Sequence, residues 1–427
     1  MARELSLIPK LDSVADVVRK RLCIGCGACA SLCPDQIRLF DFPGEGIRPV
    51  IQGDARALPE RSLKVCPVVP QPTDKANQRN SVSILSSSEW GCVLEVWEGY
   101  AIDPEIRFQG SSGGALTAIS AYCLETLGMH GVLHIVQSES APIRNRTQMS
   151  RTREELISAA GSRYAPASVC DHLEWVEEAP GPCVVIGKPG EIAALRNAEE
   201  LRPELKSKVG VALSFFCAET PSTLGTSELL RKMKVSPQAV KELKYRGRGW
   251  PGHFAPVLKN ETEPLKKMSY RESWAFLQSF RPWSAHVWPD GTGELADISC
   301  GDPWYEEPDG ENPGFSLVVV RTELGRRIIR GAIDAAYLHL TPAEPWKLEK
   351  SQVGLIRKKG AVWGRLLAMR LFGLPAPNLR AAGLFHCWMK LSLKEKLQST
   401  VGSAWRIFQR RLYRPLKLDH STAVSVD

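Results

Sequence analysis

The cysteines near the amino terminus constrain this chain more than any other feature. The run C-I-G-C-G-A-C-A-S-L-C-P contains Cys23, Cys26, Cys29 and Cys33, and a further Cys-Pro pair follows at Cys66. Proline after the last cysteine of such a run is typical of bacterial iron–sulfur ligation. A structural zinc site normally closes with a distant ligand pair, and a disulfide framework does not crowd its cysteines in this way. The run therefore predicts a [4Fe–4S] cluster and one-electron transfer.

Length and composition are those of an ordinary globular protein. The chain has 427 residues, 43% hydrophobic and 24% charged, which is enough for two or three domains. Most of the other cysteines have apolar neighbours, as in proteins of a reducing compartment. The first residues lack the apolar segment of a secretory signal, and no stretch has the ~18 apolar residues of a spanning helix. These features predict a cytoplasmic protein, soluble or peripheral at a membrane.

The chain divides by pattern into four segments. A ferredoxin-like [4Fe–4S] segment over 1–70 opens with an amphipathic helix, and a Ser-rich linker follows over 71–88. Strand-like and helical stretches then alternate over 89–345, which predicts an α/β domain with ligand-binding loops at strand ends. A basic helical tail covers 346–427. The pattern predicts strands at 93–102, 131–136, 183–186, 209–216 and 315–320, and helices at 113–127 and from 191.

Two loops of small residues stand at predicted helix starts. Gly110-Ser111-Ser112-Gly113-Gly114 offers free N–H groups and two hydroxyls, which suit a phosphate or a flavin edge. Gly187-Lys188-Pro189-Gly190 adds a lysine after a buried strand. Either loop alone is equally consistent with a plain turn. Further motifs follow in order at 161–164, 216–217, 245–252 and 296–302.

This ordered set resembles the beta-subunit family of deazaflavin-coenzyme-reducing hydrogenases and dehydrogenases, over about residues 20–320. The same family includes hydroxymethyl-chlorophyll reductase. The resemblance implies an iron–sulfur flavoprotein that binds FAD in its α/β domain. For Tyr164 and Arg246, a packing role and a surface position remain open alternatives. The cofactor contacts that the resemblance implies are Ser111, Ser112, Gly113, Gly114, Arg163, Tyr164, Lys188 and Arg246.

The chain departs from the family at the cysteines of a second cluster. Many members carry additional cysteines where this chain has Gly190, Ala285 and Trp288. Cys217 alone is retained, and a buried thiol is its favoured interpretation. His286, between tryptophans, is either an iron ligand or a packing residue. The departure predicts a single cluster.

The loss of the second cluster bears on the ligands of the first. In two-cluster ferredoxins the fourth cysteine of the run ligates the other cluster, and a remote Cys-Pro completes the first. The ligand set favoured here is therefore Cys23, Cys26, Cys29 and Cys66. Cys33 remains the alternative fourth ligand.

Acid–base residues are less distinct. Asp297 and Asp302 flank a loop that the family places near the active site, and His253 follows a Trp-Pro-Gly turn. Each is a candidate proton donor, and capping or turn roles are equally consistent with these positions.

Positive charge is concentrated in the tail. The net charge is +8, and residues 351–418 hold 14 Lys or Arg residues and one acid. Aromatic and aliphatic residues interleave with these cations, which is typical of helices in an anionic membrane interface. The aliphatic content argues against nucleic acid. A helical hairpin packed on the core or on a partner protein is the open alternative.

These features predict an oxidoreductase that passes electrons from a ferredoxin-type donor through one [4Fe–4S] cluster and FAD to a small or lipid-linked substrate. Resemblance alone extends this to cell-surface polysaccharide metabolism. The alternatives are an electron-transfer subunit that serves a separate catalytic partner and a degenerate member without flavin. A cleft enclosed by the loops at 161–164, 245–252 and 297–302 favours the enzyme. A site plugged by Trp250 or Trp288 favours the transfer subunit. Substrate, electron direction and oligomeric state are not predicted.

Overall fold

The computed structural model describes residues 11–54, 58–69, 83–85, 87–307, 312–377 and 383–426, so most of the predicted linker lies outside the described residues. The helices are α1 (Val14–Arg19), α2 (Ala28–Leu32), α3 (Arg61–Lys64), α4 (Ser87–Trp90), α5 (Pro104–Gln109), α6 (Ala115–Glu125), α7 (Arg153–Ala159), α8 (Glu174–Glu177), α9 (Pro189–Leu201), α10 (Pro203–Lys208), α11 (Thr223–Lys232), α12 (Tyr270–Leu277), α13 (Trp283–Val287), α14 (Glu323–Asp334), α15 (Pro345–Ser351), α16 (Val353–Leu371), α17 (Leu384–Met389) and α18 (Leu393–Gln409). The strands are β1 (Ile37–Phe42), β2 (Gly46–Ile51), β3 (Glu95–Ala101), β4 (Gly131–Gln137), β5 (Asn145–Ser150), β6 (Cys183–Gly187), β7 (Val209–Phe215), β8 (Val240–Lys244), β9 (His253–Leu258), β10 (Met268–Ser269), β11 (Ile298–Gly301), β12 (Ser316–Val320), β13 (Leu338–Pro342) and β14 (Val424–Ser425).

An eight-stranded mixed sheet lies at the centre of the α/β region, in the order β13-β3-β12-β11-β7-β6-β4-β5. β11, β7, β6 and β4 are parallel, and the outer strands pair antiparallel. Side chains alternate between two cores because successive residues of a strand point to opposite faces. Val184 packs with α6 and α14, whereas Val185 packs with α9. The mixed α/β fold is confirmed.

The parallel strands bring three loops to one edge of the sheet. The carboxyl ends of β6, β7 and β11 lead directly into Lys188, Phe216 and Asp302. Ligands bind at this edge in open α/β sheets because the loops there are free to vary while the strands fix their positions.

The cysteine segment packs on the α/β region. Its β1–β2 hairpin pairs over six residues, and β14 adds to β1 from the end of the tail. Cys26, Ala28 and Val65 share a core with α9 and its neighbouring strands. The cysteine loop is therefore held against the sheet edge that carries the ligand loops.

The tail consists of α16, α17 and α18, which pack on one another and on the cysteine segment. Val362, Leu366 and Ile407 share a core with Val17 and Leu22 of that segment. One face of the tail helices therefore packs on the core, which is one of the two alternatives given for the tail. Within the described part of the chain, no helix is long and apolar enough to span a bilayer.

Candidate iron–sulfur and cofactor site

Four cysteines lie together beside the sheet edge. Burial raises the pKa of the Cys26 and Cys29 thiols, and the other thiols of the group raise both further. Burial and the neighbouring Cys23 raise the pKa of Cys66 to about 12. Such mutual effects require proximity, so the structure groups Cys66 with Cys23, Cys26 and Cys29. Bound iron would supply the positive charge that stabilises these cysteines as thiolates in a buried site.

Cys33 is one helical turn from Cys29, but its thiol is not among those that raise the pKa values of this group. Burial raises the pKa of its thiol, and the charge of Arg61 opposes that rise. Its side chain packs under the β1–β2 hairpin with Ile37, Leu39 and Ile47. A thiol in an apolar core of this kind behaves as a small hydrophobic residue.

Glycines allow the cysteine loop to lie against the α/β region. Gly27 has φ +89°, and a Cβ there would lie 2.7 Å from the backbone nitrogen of Asp171. Among the described residues, no group of three or more His, Cys, Asp or Glu is placed to hold a single metal ion. A cubane differs from such a site because each thiolate binds a different iron atom. The Cys23, Cys26, Cys29 and Cys66 group therefore fits a cluster on grounds of composition and proximity.

A thin wall separates the cysteine loop from a large cavity. The carbonyl of Cys26 accepts a hydrogen bond from the Cys170 amide (3.1 Å), and the Cys170 thiol donates to the carbonyl of Glu191 (3.3 Å). Glu191 lines the cavity, and its carboxylate lies 3.0 Å from Lys188 Nζ. Cys170 and Glu191 therefore connect the cysteine loop to the cavity through two hydrogen bonds.

The cavity has a volume of about 480 Å³ and lies at the carboxyl edge of the parallel strands. We call it the cofactor cavity. The loops at 161–164 and 301–302 line it, together with Arg246. Trp250 and Trp288, the two predicted plugs, are outside its lining. Of the sequence-predicted residues, Ser111, Ser112, Gly114, Arg163, Tyr164, Lys188, Cys217, Arg246 and Asp302 line it.

The amino terminus of α6 opens into the cofactor cavity. Its N-cap, Gly114, has φ +75° and no side chain that could cap the first turn. Gly114, Ala115 and Thr117 line the cavity, so the first amides of an eleven-residue helix are directed at its contents. Such an end binds phosphate through N–H groups and the helix dipole.

Gly113 has a structural role behind this helix end. A Cβ at Gly113 would lie 2.6 Å from the carbonyl oxygen of Gly99. Its amide donates to Ser316 Oγ (3.0 Å), and the hydroxyl of Ser112 lies 3.0 Å from the same oxygen. The glycine allows the loop to pack on the sheet, which places Gly114 and α6 at the cavity.

Arg246 and Asp302 form a buried bidentate pair in the cavity wall. The two guanidinium nitrogens lie 2.9 and 2.6 Å from the carboxylate oxygens, and Trp250 Nε1 donates to the same carboxylate at 3.2 Å. The guanidinium also lies 4.4 Å from the Tyr270 ring centre. Burial raises the pKa of Tyr164, which lies beside this pair. Arg246 is therefore a buried wall residue rather than a surface cation.

Arg163 and Lys188 are occupied by the protein. The Arg163 guanidinium donates to the carbonyls of Leu243 and Pro142 (2.9 and 2.8 Å) and contacts the side chain of Asn145. Lys188 Nζ donates to the carbonyl of Ala167 at 3.0 Å. Both residues line the cavity, but their charged groups fix the surrounding loops.

The other two acid–base candidates lie away from the cavity. Asp297 accepts hydrogen bonds from Arg196 and the Ala212 amide, both at 2.9 Å, and from the Thr322 hydroxyl at 2.8 Å. This buried network joins α9, β7 and α14. His253 is exposed at the start of β9. Neither side chain lines the cofactor cavity.

A tryptophan occupies the region of the missing cysteines. A Cβ at Gly190 would lie 2.5 Å from Ile24 Cδ1 and 3.4 Å from Cε2 of Trp288. Trp288 and Ala285 are buried. Burial lowers the pKa of His286 to about 2 and raises that of Cys217 to about 12. Apolar packing of Ile24 and Trp288 therefore occupies the space beside Gly190.

The sequence did not single out Glu219, which lies in the loop after β7. It has φ +73° and is buried, and its Oε1 has no hydrogen-bond partner among the described residues. Burial raises its pKa, while Lys358 and Lys188 oppose that rise. The one available signal was its place at the carboxyl end of a parallel strand, where ligand loops occur.

Comparison with known proteins identifies the family. Residues 96–174 match the N-terminal model, and residues 182–345 the C-terminal model, of the coenzyme F420 hydrogenase/dehydrogenase beta subunit. Residues 17–38 match a 4Fe-4S binding domain. These matches confirm the resemblance and the iron–sulfur segment. The C-terminal match ends before α16, so the tail helices lie outside it.

Several curated proteins are similar to this chain. The coenzyme F420 hydrogenase subunit beta of Methanococcus voltae is 24% identical, over 65% of this chain and 95% of the relative. The same subunit of Methanosarcina barkeri is 27% identical, over 57% and 80%. The coenzyme F420-dependent sulfite reductase of Methanocaldococcus jannaschii is 23% identical, over 73% of this chain and 46% of that protein.

A solved structure has the same fold. A chain of the F420-reducing [NiFe] hydrogenase complex from Methanosarcina barkeri aligns with TM-score 0.52 and 22% identity, over 67% of this chain and 96% of that chain. The family matches follow one another in order across the α/β region, and the cysteine segment matches separately. The chain therefore belongs to the coenzyme F420 hydrogenase/dehydrogenase beta subunit family.

Proposed function

We propose that this protein is an oxidoreductase with one [4Fe–4S] cluster, held by Cys23, Cys26, Cys29 and Cys66, and one FAD in the cofactor cavity. The observation that carries the proposal is the thin wall of Cys170 and Glu191 between the cysteine group and a cavity with an uncapped helix end. The cluster and the flavin together supply conversion between single electrons and electron pairs.

The residues present fit a flavin. The first amides of α6 suit its diphosphate, and the buried Arg246–Asp302 pair forms a polar wall with Tyr270 and Trp304 beside it. Arg246 and Lys188 are paired with carboxylates within the protein, so these two cations orient loops rather than adding net charge to the cavity. Asp302 stays a candidate proton donor because it lines the cavity. Asp297 and His253 are left out of the proposed site.

The lining of the cavity favours an enzyme over a transfer subunit. The loops at 161–164 and 301–302 enclose the cavity, and neither Trp250 nor Trp288 lines it. Cys23, Cys29 and Cys66 are partly exposed, which allows a ferredoxin-type partner to approach the cluster. Electrons then enter beside the cysteines, and the substrate meets the flavin in the cavity.

Anaerobic purification tests this composition. About four iron atoms, four sulfides and one FAD per chain are expected for a single cubane. Eight iron atoms would contradict the single-cluster proposal, and a flavin-free protein that takes up no FAD would contradict the reductase proposal.

A charge at the helix end tests the flavin position. Thr117→Glu places a carboxylate in the first turn of α6, where the helix dipole favours it. It should therefore preserve folding and repel the flavin diphosphate, reducing FAD affinity at least tenfold in a fluorescence titration. Thr126→Glu, the same change at the other end of α6, is the control. Equal FAD affinity in both variants would contradict this placement.

We also propose that the tail binds an anionic membrane. Leu393, Leu397, Val401, Trp405 and Phe408 follow helical spacing along α18 and are all more than half exposed. We call this set the apolar tail face. Residues 351–418 of the tail carry 14 Lys or Arg residues against one acid, which complements anionic lipid. Amphipathic helices of this composition lie in the membrane interface.

Vesicle sedimentation of the full chain tests the membrane proposal. Leu397→Glu with Trp405→Glu should abolish binding to phosphatidylglycerol vesicles. The control, Leu127→Glu with Leu265→Glu, changes two exposed residues of the α/β region and should bind normally. Unchanged binding of the tail variant, or conversion of a dimer to a monomer without any effect on vesicles, would contradict the proposal.

A further inference from the structure

A second cavity, of about 400 Å³, lies between the tail and the α/β region. We call it the tail cavity. One wall comes from α16 and α18, which lie outside the family match, and the other includes Trp274, Arg281 and His286. Ala218, Trp274 and Leu355 line both this cavity and the cofactor cavity, so the two adjoin.

The tail cavity is strongly cationic. Among the described residues its single lining acid is Glu395, which pairs with Arg357 at 3.3 Å. Burial and Arg281 lower the pKa of His286 to about 2, so this histidine is neutral and adds no charge. The lining cations are Arg281, Arg357, Lys358, Arg365 and Arg406. Four of them therefore have no lining carboxylate as a partner.

The hydrogen bonds of these cations do not neutralise them. Arg281 donates to the carbonyl of Ala218 (2.8 Å), and Arg365 to the carbonyl of His286 (2.6 Å). Lys358 Nζ is buried and has no hydrogen-bond partner among the described residues. Burial lowers the pKa of Lys358 to about 8, with Glu219 opposing, and burial and Arg406 lower that of Arg365 to about 10. A buried ammonium without a hydrogen-bond partner is costly, so a bound anion would relieve this cavity.

We propose that the tail cavity binds the phosphate or diphosphate group of the substrate that reacts in the adjoining cofactor cavity. Guanidinium groups match phosphate oxygens in pairs, and several cations in one cavity suit a multiply charged group better than a single carboxylate. The shared wall places the rest of the substrate toward the cofactor cavity. This inference rests on the proposed function, since it assigns a class to the same substrate.

The phosphate can come from a lipid or from a soluble ester. α18 presents Glu395, Ser399 and Arg406 to the tail cavity and the apolar tail face to solvent. A lipid diphosphate would use both sides of this helix. A nucleotide-linked sugar would use the tail cavity alone.

Calorimetry on the flavin-loaded full chain tests the site, with inorganic pyrophosphate as the probe. Lys358→Gln should weaken pyrophosphate binding at least tenfold, because it removes a charge-assisted hydrogen bond. Lys394→Gln removes the same charge from an exposed position on α18 outside the cavity, and it should bind within about twofold of the parent. Lys358→Arg should restore most of the affinity.

Four outcomes would overturn the inference: no pyrophosphate binding by the parent chain, equal weakening in the two glutamine variants, no recovery in Lys358→Arg, or loss of flavin from Lys358→Gln. The last would assign the cavity to the cofactor's own diphosphate. Farnesyl diphosphate and uridine diphosphate, titrated separately, identify the source, and tighter binding of either one supports the inference. Because calorimetry needs no electron transfer, a protein that binds pyrophosphate but has no redox activity would contradict the proposed function alone.

Discussion

The cofactor cavity and the tail cavity adjoin, but they differ in how far their lining cations are paired with carboxylates. The cofactor cavity is lined by as many acids as cations among the described residues, and Arg246 pairs with Asp302 and Lys188 with Glu191. In the tail cavity one acid faces five cations among the described residues, and Lys358 Nζ has no hydrogen-bond partner among them. A buried charge that is paired maintains a shape, whereas one left unpaired costs stability unless something binds it. The comparison indicates a rigid cofactor site beside a site that is completed by an external anion.

The cysteine group lies beside the rigid cofactor site, and removing one of its ligands should have the largest effect, the loss of the cluster. Cys66→Ala is expected to abolish cluster binding, taking iron from about four atoms per chain to nearly zero, because three thiolates leave one iron atom without a protein ligand. Cys33→Ala should retain iron and the cluster absorption because Cys33 lies in the apolar core under the hairpin. Iron loss from the Cys33 variant, with iron kept in the Cys66 variant, would reverse the ligand assignment.

The paired side of the comparison predicts a large loss of stability at Arg246. Arg246→Met leaves the Asp302 carboxylate half-buried without its bidentate partner, which should cost about 3 kcal/mol and lower the Tm by roughly 3–4 °C. The double change Arg246→Met with Asp302→Leu should recover most of this loss, because paired buried charges can be replaced by apolar groups at little cost. Differential scanning calorimetry on the flavin-free chain separates this effect from cofactor binding. A single variant within about 2 °C of the parent would show that the pair contributes little.

Sequence reasoning succeeded where the signal is local. The runs at 131–136 and 315–320 became β4 and β12 because continuous apolar residues suit a strand buried on both faces. The helix predicted from residue 113 begins at Ala115, after the Gly113–Gly114 turn. The family and the iron–sulfur segment were likewise recognisable from residues at fixed spacings, and the matches confirm both.

Long-range contacts could not be predicted in the same way. The Arg163 motif indicated a cofactor contact, but its guanidinium donates hydrogen bonds to the carbonyls of Leu243 in β8 and Pro142 in the loop before β5. The tail's charge was visible as a concentration of Lys and Arg, yet its encounter with Arg281 depends on how α16 packs against the α/β region. Spacing patterns say which face of a helix is apolar but not which remote segment will cover it.

For the tail cavity, the comparison predicts that removing a charge raises the stability of the fold slightly, whereas the Arg246 change lowers it. At pH 7 the Lys358→Gln variant should be more stable than the parent by about 1–2 kcal/mol, or roughly 1–2 °C in Tm, because it removes a buried ammonium that folding must desolvate. The charged groups facing Lys358 are Glu219, Arg281 and Arg365, with the Cys217 thiol beside them.

The pH dependence of this gain in stability follows from the direction in which folding shifts the pKa of Lys358. The pKa of Lys358 is lowered from 10.5 to about 8 in the folded chain, so between these values the unfolded chain binds more protons and the parent gains stability as pH rises. The advantage of Lys358→Gln should therefore be complete below pH 8 and shrink toward pH 10, while Lys394→Gln shows no such trend. Pyrophosphate should reverse the order at pH 7 by stabilising the parent more than the Lys358 variant. A Lys358→Gln variant that is less stable than the parent without any anion would show that this lysine holds the tail in place, and the contrast between the two cavities would then fail.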